Sequence, residues 1–156
     1  MTTTASNHLT GSAAEFRIKD SLKRIKAKFI LPTCDLLGIA QQSTVGKRRV
    51  EQATPYLLRE YNNDLLNVPQ SELLDRIYGI DCLITYRGWT IALDITVNLD
   101  SLTDKANKQR MLSLSPLYTQ VGIDLAAVVC VSNSFTDADL RKALSEVIAG
   151  KSVVHL

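Results

Sequence analysis

The stretch Ile80–Asn98, IDCLITYRGWTIALDITVN, decides how the rest of the chain is read. Ile, Leu, Val, Thr and aromatic residues dominate both of its halves, which suits a pleated, half-buried surface. Arg87-Gly88 lies between them, and Gly in a two-residue loop supplies the positive φ that a tight hairpin needs. A loop centred on that pair sets Asp81 directly across from Asp94. Strand side chains alternate between faces. One face therefore carries Asp81, Leu83, Thr85, Thr90, Ala92, Asp94, Thr96 and Asn98, while Ile80, Cys82, Ile84, Tyr86, Ile91, Leu93, Ile95 and Val97 form the core face. Like charges facing each other across a ladder destabilise it. Either the acidic face meets solvent, or the two carboxylates hold a divalent cation such as magnesium, which takes oxygen ligands and commonly only one or two carboxylates.

Outward from the hairpin, the pattern is α/β. Ser12 with Glu15 three residues on reads as a capping box, opening a helix whose apolar stripe is Ala14, Ile18, Leu22, Ile25 and Phe29. Phe29–Leu31 reads as a short strand ended by Pro32. Residues 35–78 read as a helical insertion, with one helix running to about Asn63 in spite of Pro55 and another from Gln70 to Ile77 behind Pro69. The insertion suits substrate contact, dimerisation or packing alike. After the hairpin, Asp100 or Thr103 caps a helix to about Leu114, and Val121-Gly122 is a stop. Leu125–Val131 is a continuous apolar run, as in a strand buried on both faces. A last helix, Asp137–Ala149, follows Ser134 or Thr136 and ends at Gly150. The sum is a central mixed β-sheet flanked by helices, with a βαβ crossover after the hairpin.

Composition narrows the classes. A length of 156 residues suits one domain over 1–156, with 1–9 a loose polar terminus. Such a domain buries roughly 70% of its unfolded surface, enough for a core without staples. No apolar run is long enough for a membrane span, and the N-terminus lacks the pattern of a secretory signal. Cys34, Cys82 and Cys130 are isolated and without metal-site spacing, which points to a reducing cytoplasm. His8 and His155 sit at opposite ends of the chain, and TVGKRR lacks phosphate-loop spacing, so His-centred hydrolysis and nucleotide-loop chemistry are excluded as readings. The net charge of +2 is small, but its basic residues cluster: Arg17 to Lys28, Lys47-Arg48-Arg49, and Lys105, Lys108 and Arg110. Each cluster alone reads as a solvated helix face; converging on one groove they would mark a phosphate-backbone binder.

This order of elements, with acids at these points, resembles the PD-(D/E)XK nuclease superfamily, the restriction-endonuclease-like fold. The residues that carry the resemblance are Glu15 in GSAAEFRIKDSL, Asp81 in YGIDCLI and Asp94-Ile95-Thr96 in IALDITVN. It implies a metal-dependent DNA endonuclease, with magnesium or manganese held by Glu15, Asp81 and Asp94. Where the family has lysine, this chain has Thr96. In some members that lysine comes from elsewhere, and Lys105, Lys108 and Lys19 are the candidates here. The resemblance further implies DNA contact through Lys19, Lys47, Arg48, Arg49 and Gln109, with Tyr118 a weaker parallel. A chain this short offers one site, so cutting both strands implies a homodimer or higher homo-oligomer. The alternatives are a catalytically inactive member that binds nucleic acid or serves in assembly, and an unrelated interaction protein whose acids face solvent.

Overall fold

A computed structural model of the chain describes residues 10–132 and 134–156; the expected loose terminus over 1–9 lies outside them. The described residues form a five-stranded mixed sheet with helices on both faces. In chain order they are α1 (Gly11–Arg24), β1 (Lys28–Phe29), α2 (Leu36–Ala40), α3 (Thr44–Glu60), α4 (Gln70–Arg76), β2 (Cys82–Tyr86), β3 (Trp89–Thr96), α5 (Leu102–Leu114), α6 (Pro116–Val121), β4 (Leu125–Cys130), α7 (Asp137–Ile148) and β5 (Val153–His155). The strands lie in sequence order; β1–β2 and β2–β3 are antiparallel, β3–β4 and β4–β5 parallel.

The hairpin has the expected register, from Cys82↔Leu93 to Tyr86↔Trp89. Arg87 and Gly88 both take positive φ, 51° and 81°, which turns the chain in two residues with the hand that matches strand twist. The continuous apolar run is β4, laid parallel to β3 with Asp94 beside Val128. Strand β5 lies past the final helix, in a stretch for which the sequence reading held no strand.

The expected capping box is displaced. Thr10, not Ser12, caps α1, its hydroxyl accepting from the Ala13 N–H at 3.0 Å. Glu15 is freed from capping and pairs instead with Lys19, one turn on. The true capping box is Thr136 with Asp139, at the start of α7. Pro55 sits inside α3, which ends at Glu60.

The expectation of a single core face needs correction. One core cluster joins α1 and α7 to Cys82, Ile84, Ile91, Leu93 and Ile95. A second lies on the acidic face, where α2 to α6 cover Leu83 and Ala92. Residues 35–78 thus complete a second layer. Ile80, just before β2, joins this second cluster. Two buried tyrosines stitch the layer: the Tyr78 hydroxyl donates to the Leu36 carbonyl and the Tyr118 hydroxyl to the Tyr78 carbonyl, each at 2.7 Å. Neither ring leaves a polar atom stranded, so burying them gains apolar area without the penalty of an unmet hydroxyl.

Helices α2 and α3 cross so closely at Gly46 that a Cβ there would fall on the Ala40 backbone carbonyl. A backbone atom cannot rotate away as a side chain would. Gly46→Ala should therefore destabilise the fold by about 2–3 kcal/mol, read as a fall in the urea midpoint. Wild-type stability would show that the second helical layer can shift.

Candidate functional site

The acidic seam lies at the end of β3 that leads into the crossover, the end at which parallel α/β sheets open their crevices. Asp94 is 5% exposed and Thr96 equally so. Asp81 precedes β2, its N–H donating to the Leu93 carbonyl at 2.9 Å. Its carboxylate accepts from the Ile95 N–H at 2.7 Å, which fixes the side chain against β3. The Asp94 carboxyl lies close enough to act on Asp81. Asp81 is pushed up to about 7, first by burial, then by the Asp94 carboxyl and the further charges of Asp94 and Glu15; the Ile95 N–H opposes the shift. Two acids this close, one buried and one half-buried, call for a cation beside them.

Helix α5 brings that cation. Lys105 Nζ stands 3.5 Å from Asp94 Oδ1. Lys108, one turn later, is lowered by burial first and then by Arg49 and Lys105, against the attraction of Asp94 and Asp81. Arg49, from α3, donates from Nε to the Ile77 carbonyl at 2.9 Å and from Nη2 to the Arg76 carbonyl at 3.2 Å. Gly79 takes φ 67°, the left-handed backbone that favours glycine, and lies against both cations: a Cβ there would be in ordinary contact with Lys108 Cε at 3.7 Å and Arg49 Nη2 at 4.0 Å.

Glu15 belongs to α1, which packs on the other face of the sheet. Its Oε1 lies 2.9 Å from Lys19 Nζ. The pair is near enough to the seam for Glu15 to raise Asp81 and for Asp81 to raise Lys19. For Lys19, burial opposes the charge but the Glu15 carboxylate outweighs it. Among the described residues, no three His, Cys, Asp or Glu side chains already stand as a ligand set. Asp81 and Asp94 are the two carboxylates that converge. They supply hard oxygen ligands of the number magnesium commonly takes from a protein.

The remaining expected residues divide. The Thr96 hydroxyl accepts from the Asn98 N–H at 3.2 Å and lies 3.4 Å from the Ser101 hydroxyl. Gln109 is 4% exposed, and among the described residues its Nε2 has no hydrogen-bond partner. Lys47 and Arg48 are exposed on α3. Tyr118 is buried and committed to Tyr78. Cys82, beside Asp81 in sequence, is pushed up to about 12 by burial, so it is an inert thiol and not a nucleophile.

Sequence reading missed Asp75. It lies near the end of α4, exposed, with its carboxyl raised by dense surroundings and, after the opposing effect of Arg76, by Glu72, Glu15 and Asp94. Its position next to Arg76 made it look like one more solvated helix charge, and no spacing in the chain marks it. Two cavities flank the seam. One, of about 270 Å³, is walled by Lys19, Phe29, Leu31, Leu74, Asp81 and Cys82. The other, of about 360 Å³, is walled by Thr44, Val45, Arg48, Arg49, Gln52 and Lys108, with Met111 at its side.

Comparison with protein-family models, with curated proteins and with solved structures finds no match to this chain. No helix among the described residues is long and apolar enough to cross a membrane.

Asp81 gives the seam a pH signature. Its folded value, about 7, lies above the ordinary 3.8, so the fold favours the neutral acid. The stability this group contributes is complete below about pH 4 and is lost as pH rises through about 7. In EDTA, Asp81→Asn should therefore gain melting temperature relative to wild type as pH is raised over that window. A constant difference between the two proteins across it would contradict the raised Asp81 carboxyl.

Proposed function

We propose that the chain is a metal-dependent nuclease that hydrolyses phosphodiester bonds in DNA, with a restriction-endonuclease-like arrangement of its acids. The observation that carries this reading is the pairing of half-buried Asp81 with buried Asp94, with Lys105 and Lys108 of α5 beside them. A phosphodiester resists attack because its oxygens are anionic and its leaving group is poor. A site for it needs hard-cation ligands, fixed positive charge and little water.

Asp81 and Asp94 would hold magnesium or manganese, which when bound supplies Lewis acidity toward a phosphoryl oxygen and lowers the pKa of water. Ile95 fixes Asp81, and burial in β3 fixes Asp94, so neither carboxylate must be ordered when the ion arrives. Lys105 and Lys108 meet the charge that develops on the phosphoryl oxygens, the part that Thr96 cannot play. Lys105, beside Asp94 at 3.5 Å, would be within reach of a phosphate held at the same carboxylate. The Thr96 hydroxyl, on the same face, is a donor for a phosphate oxygen or the attacking water. Glu15 would add negative charge at the rim of the site, where its pairing with Lys19 keeps both oriented. A second copy of the chain would supply the second site that a double-strand cut requires.

One observation favours a second reading, a nucleic-acid-binding module without hydrolysis. Lys105 already satisfies Asp94, and Thr96 stands where a resident lysine would be expected, so the seam could be a neutralised relic. Plasmid DNA separates the two. The nuclease reading expects nicking in magnesium or manganese and none in EDTA. Asp94→Ala should abolish both nicking and the rise in melting temperature on adding the metal. Lys105→Ala should slow nicking by about 10²-fold while keeping the metal-induced rise. Salt-sensitive binding without nicking in any divalent metal would select the binding module.

A further inference from the structure

The cavity of about 360 Å³ between α3 and α5 has an unusual wall. Arg48, Arg49 and Lys108 all line it, together with Thr44 and Gln52, and no carboxylate does. Lys108 is half-buried and shares this wall with Arg49, whose positive charge works against its own. Arg49 has no freedom to swing away, since the Ile77 and Arg76 carbonyls hold its guanidinium. Packed like charges without an anion between them need a compensating ligand, as the two acids of the seam do. Thr44 opens the seventeen-residue helix α3, whose first turn adds the positive end of a helix dipole. Val45 and Met111 supply apolar walls that strengthen the field inside.

Lys108 stands at the junction. It lines this cavity and also feels Asp94 and Asp81. An anion seated on Arg48, Arg49 and Lys108 would therefore lie on the flank of the acidic seam.

We propose that this pocket is a phosphate subsite, holding a backbone phosphate of the nucleic-acid strand beside the one at Asp81 and Asp94. The proposal rests on the nucleic-acid reading of the seam and gives it direction. The strand runs over the acids to the α3–α5 pocket, and Lys108 serves both phosphates. Arg48 and Gln52 are exposed and reach the ligand from the outer rim. Arg49 is a positioning residue that fixes the pocket's floor.

The test is fluorescence anisotropy of a labelled 20-base-pair DNA duplex in EDTA, titrated with salt, with plasmid nicking in magnesium run alongside. Arg48→Ala should weaken binding about fivefold near 0.1 M salt and reduce the log–log salt slope by about one, as for one lost phosphate contact. Gln52→Ala, which removes no charge, should weaken binding about twofold with the slope kept. Arg141→Ala, an exposed cation on α7 in the opposite layer, removes the same charge and should change neither. Equal behaviour of Arg48→Ala and Arg141→Ala overturns the subsite, as does a wild-type chain that fails to bind the duplex. The two readings fail separately. An Arg48-dependent slope without nicking removes the hydrolytic reading and leaves the pocket. Nicking with an unchanged slope in Arg48→Ala removes the pocket and leaves the nuclease.

Discussion

A buried carboxylate, Asp94 on β3, set beside the half-buried Asp81 that leads into β2, is the constraint around which this molecule is arranged. Isolated in an apolar layer, Asp94 would carry a charge that the interior does not tolerate. The fold answers in three ways. The Asp81 carboxyl is raised toward its neutral form beside Asp94, a backbone N–H from Ile95 fixes one of its oxygens, and Lys105 stands by Asp94. None of these is needed for a sheet to form. An apolar pair at the same positions would close the ladder with less compensation, and removing one partner of a buried charged set is more damaging than replacing the whole. That a costly arrangement is kept and supported is the physical reason for treating the seam as a site.

The support is spread over both layers. Helix α1, packed with α7 on one face, holds Glu15 and Lys19 near the end of β2. Helices α3, α4 and α5, on the other, carry Arg49, Asp75, Lys105 and Lys108. Acids and cations meet at close range here: Lys105 stands beside Asp94 and Lys19 beside Glu15, while Lys108 lies between Asp94 and the basic wall of α3. The buried tyrosine chain from Leu36 through Tyr78 to Tyr118 holds α2 and α6 to the segment entering β2. This keeps the second layer in register with the acids it covers.

Most of the architecture was legible because local chemistry and long-range packing agree. Arg87-Gly88 dictates a two-residue turn, and once the turn is placed, strand alternation fixes which residue faces which. The apolar run at Leu125–Cys130 can only be buried on both sides, and the crossover helix follows from making it parallel. Capping was less legible: Thr10 and Ser12 both offer a hydroxyl ahead of the same helix, and only the dihedral angle of the preceding backbone chooses between them. Strand β5 was hidden by its brevity, because three residues carry too little periodicity to signal a partner.

The chain alone determined the hairpin, its register and hence the opposition of Asp81 and Asp94, since each follows from turn chemistry and the two-residue period of a strand. It also fixed the order of helices and strands. What only the tertiary structure decided is the burial of the acidic face. Alternation cannot distinguish a polar face turned to water from one roofed by helices contributed forty residues earlier. The choice of Lys105 as the partner of Asp94, the approach of Arg49 to Lys108 and the presence of Asp75 were likewise settled in space. Such contacts join groups that share no period and no neighbouring position in the chain, and the energy that selects them is the desolvation and charge balance of one assembled cleft.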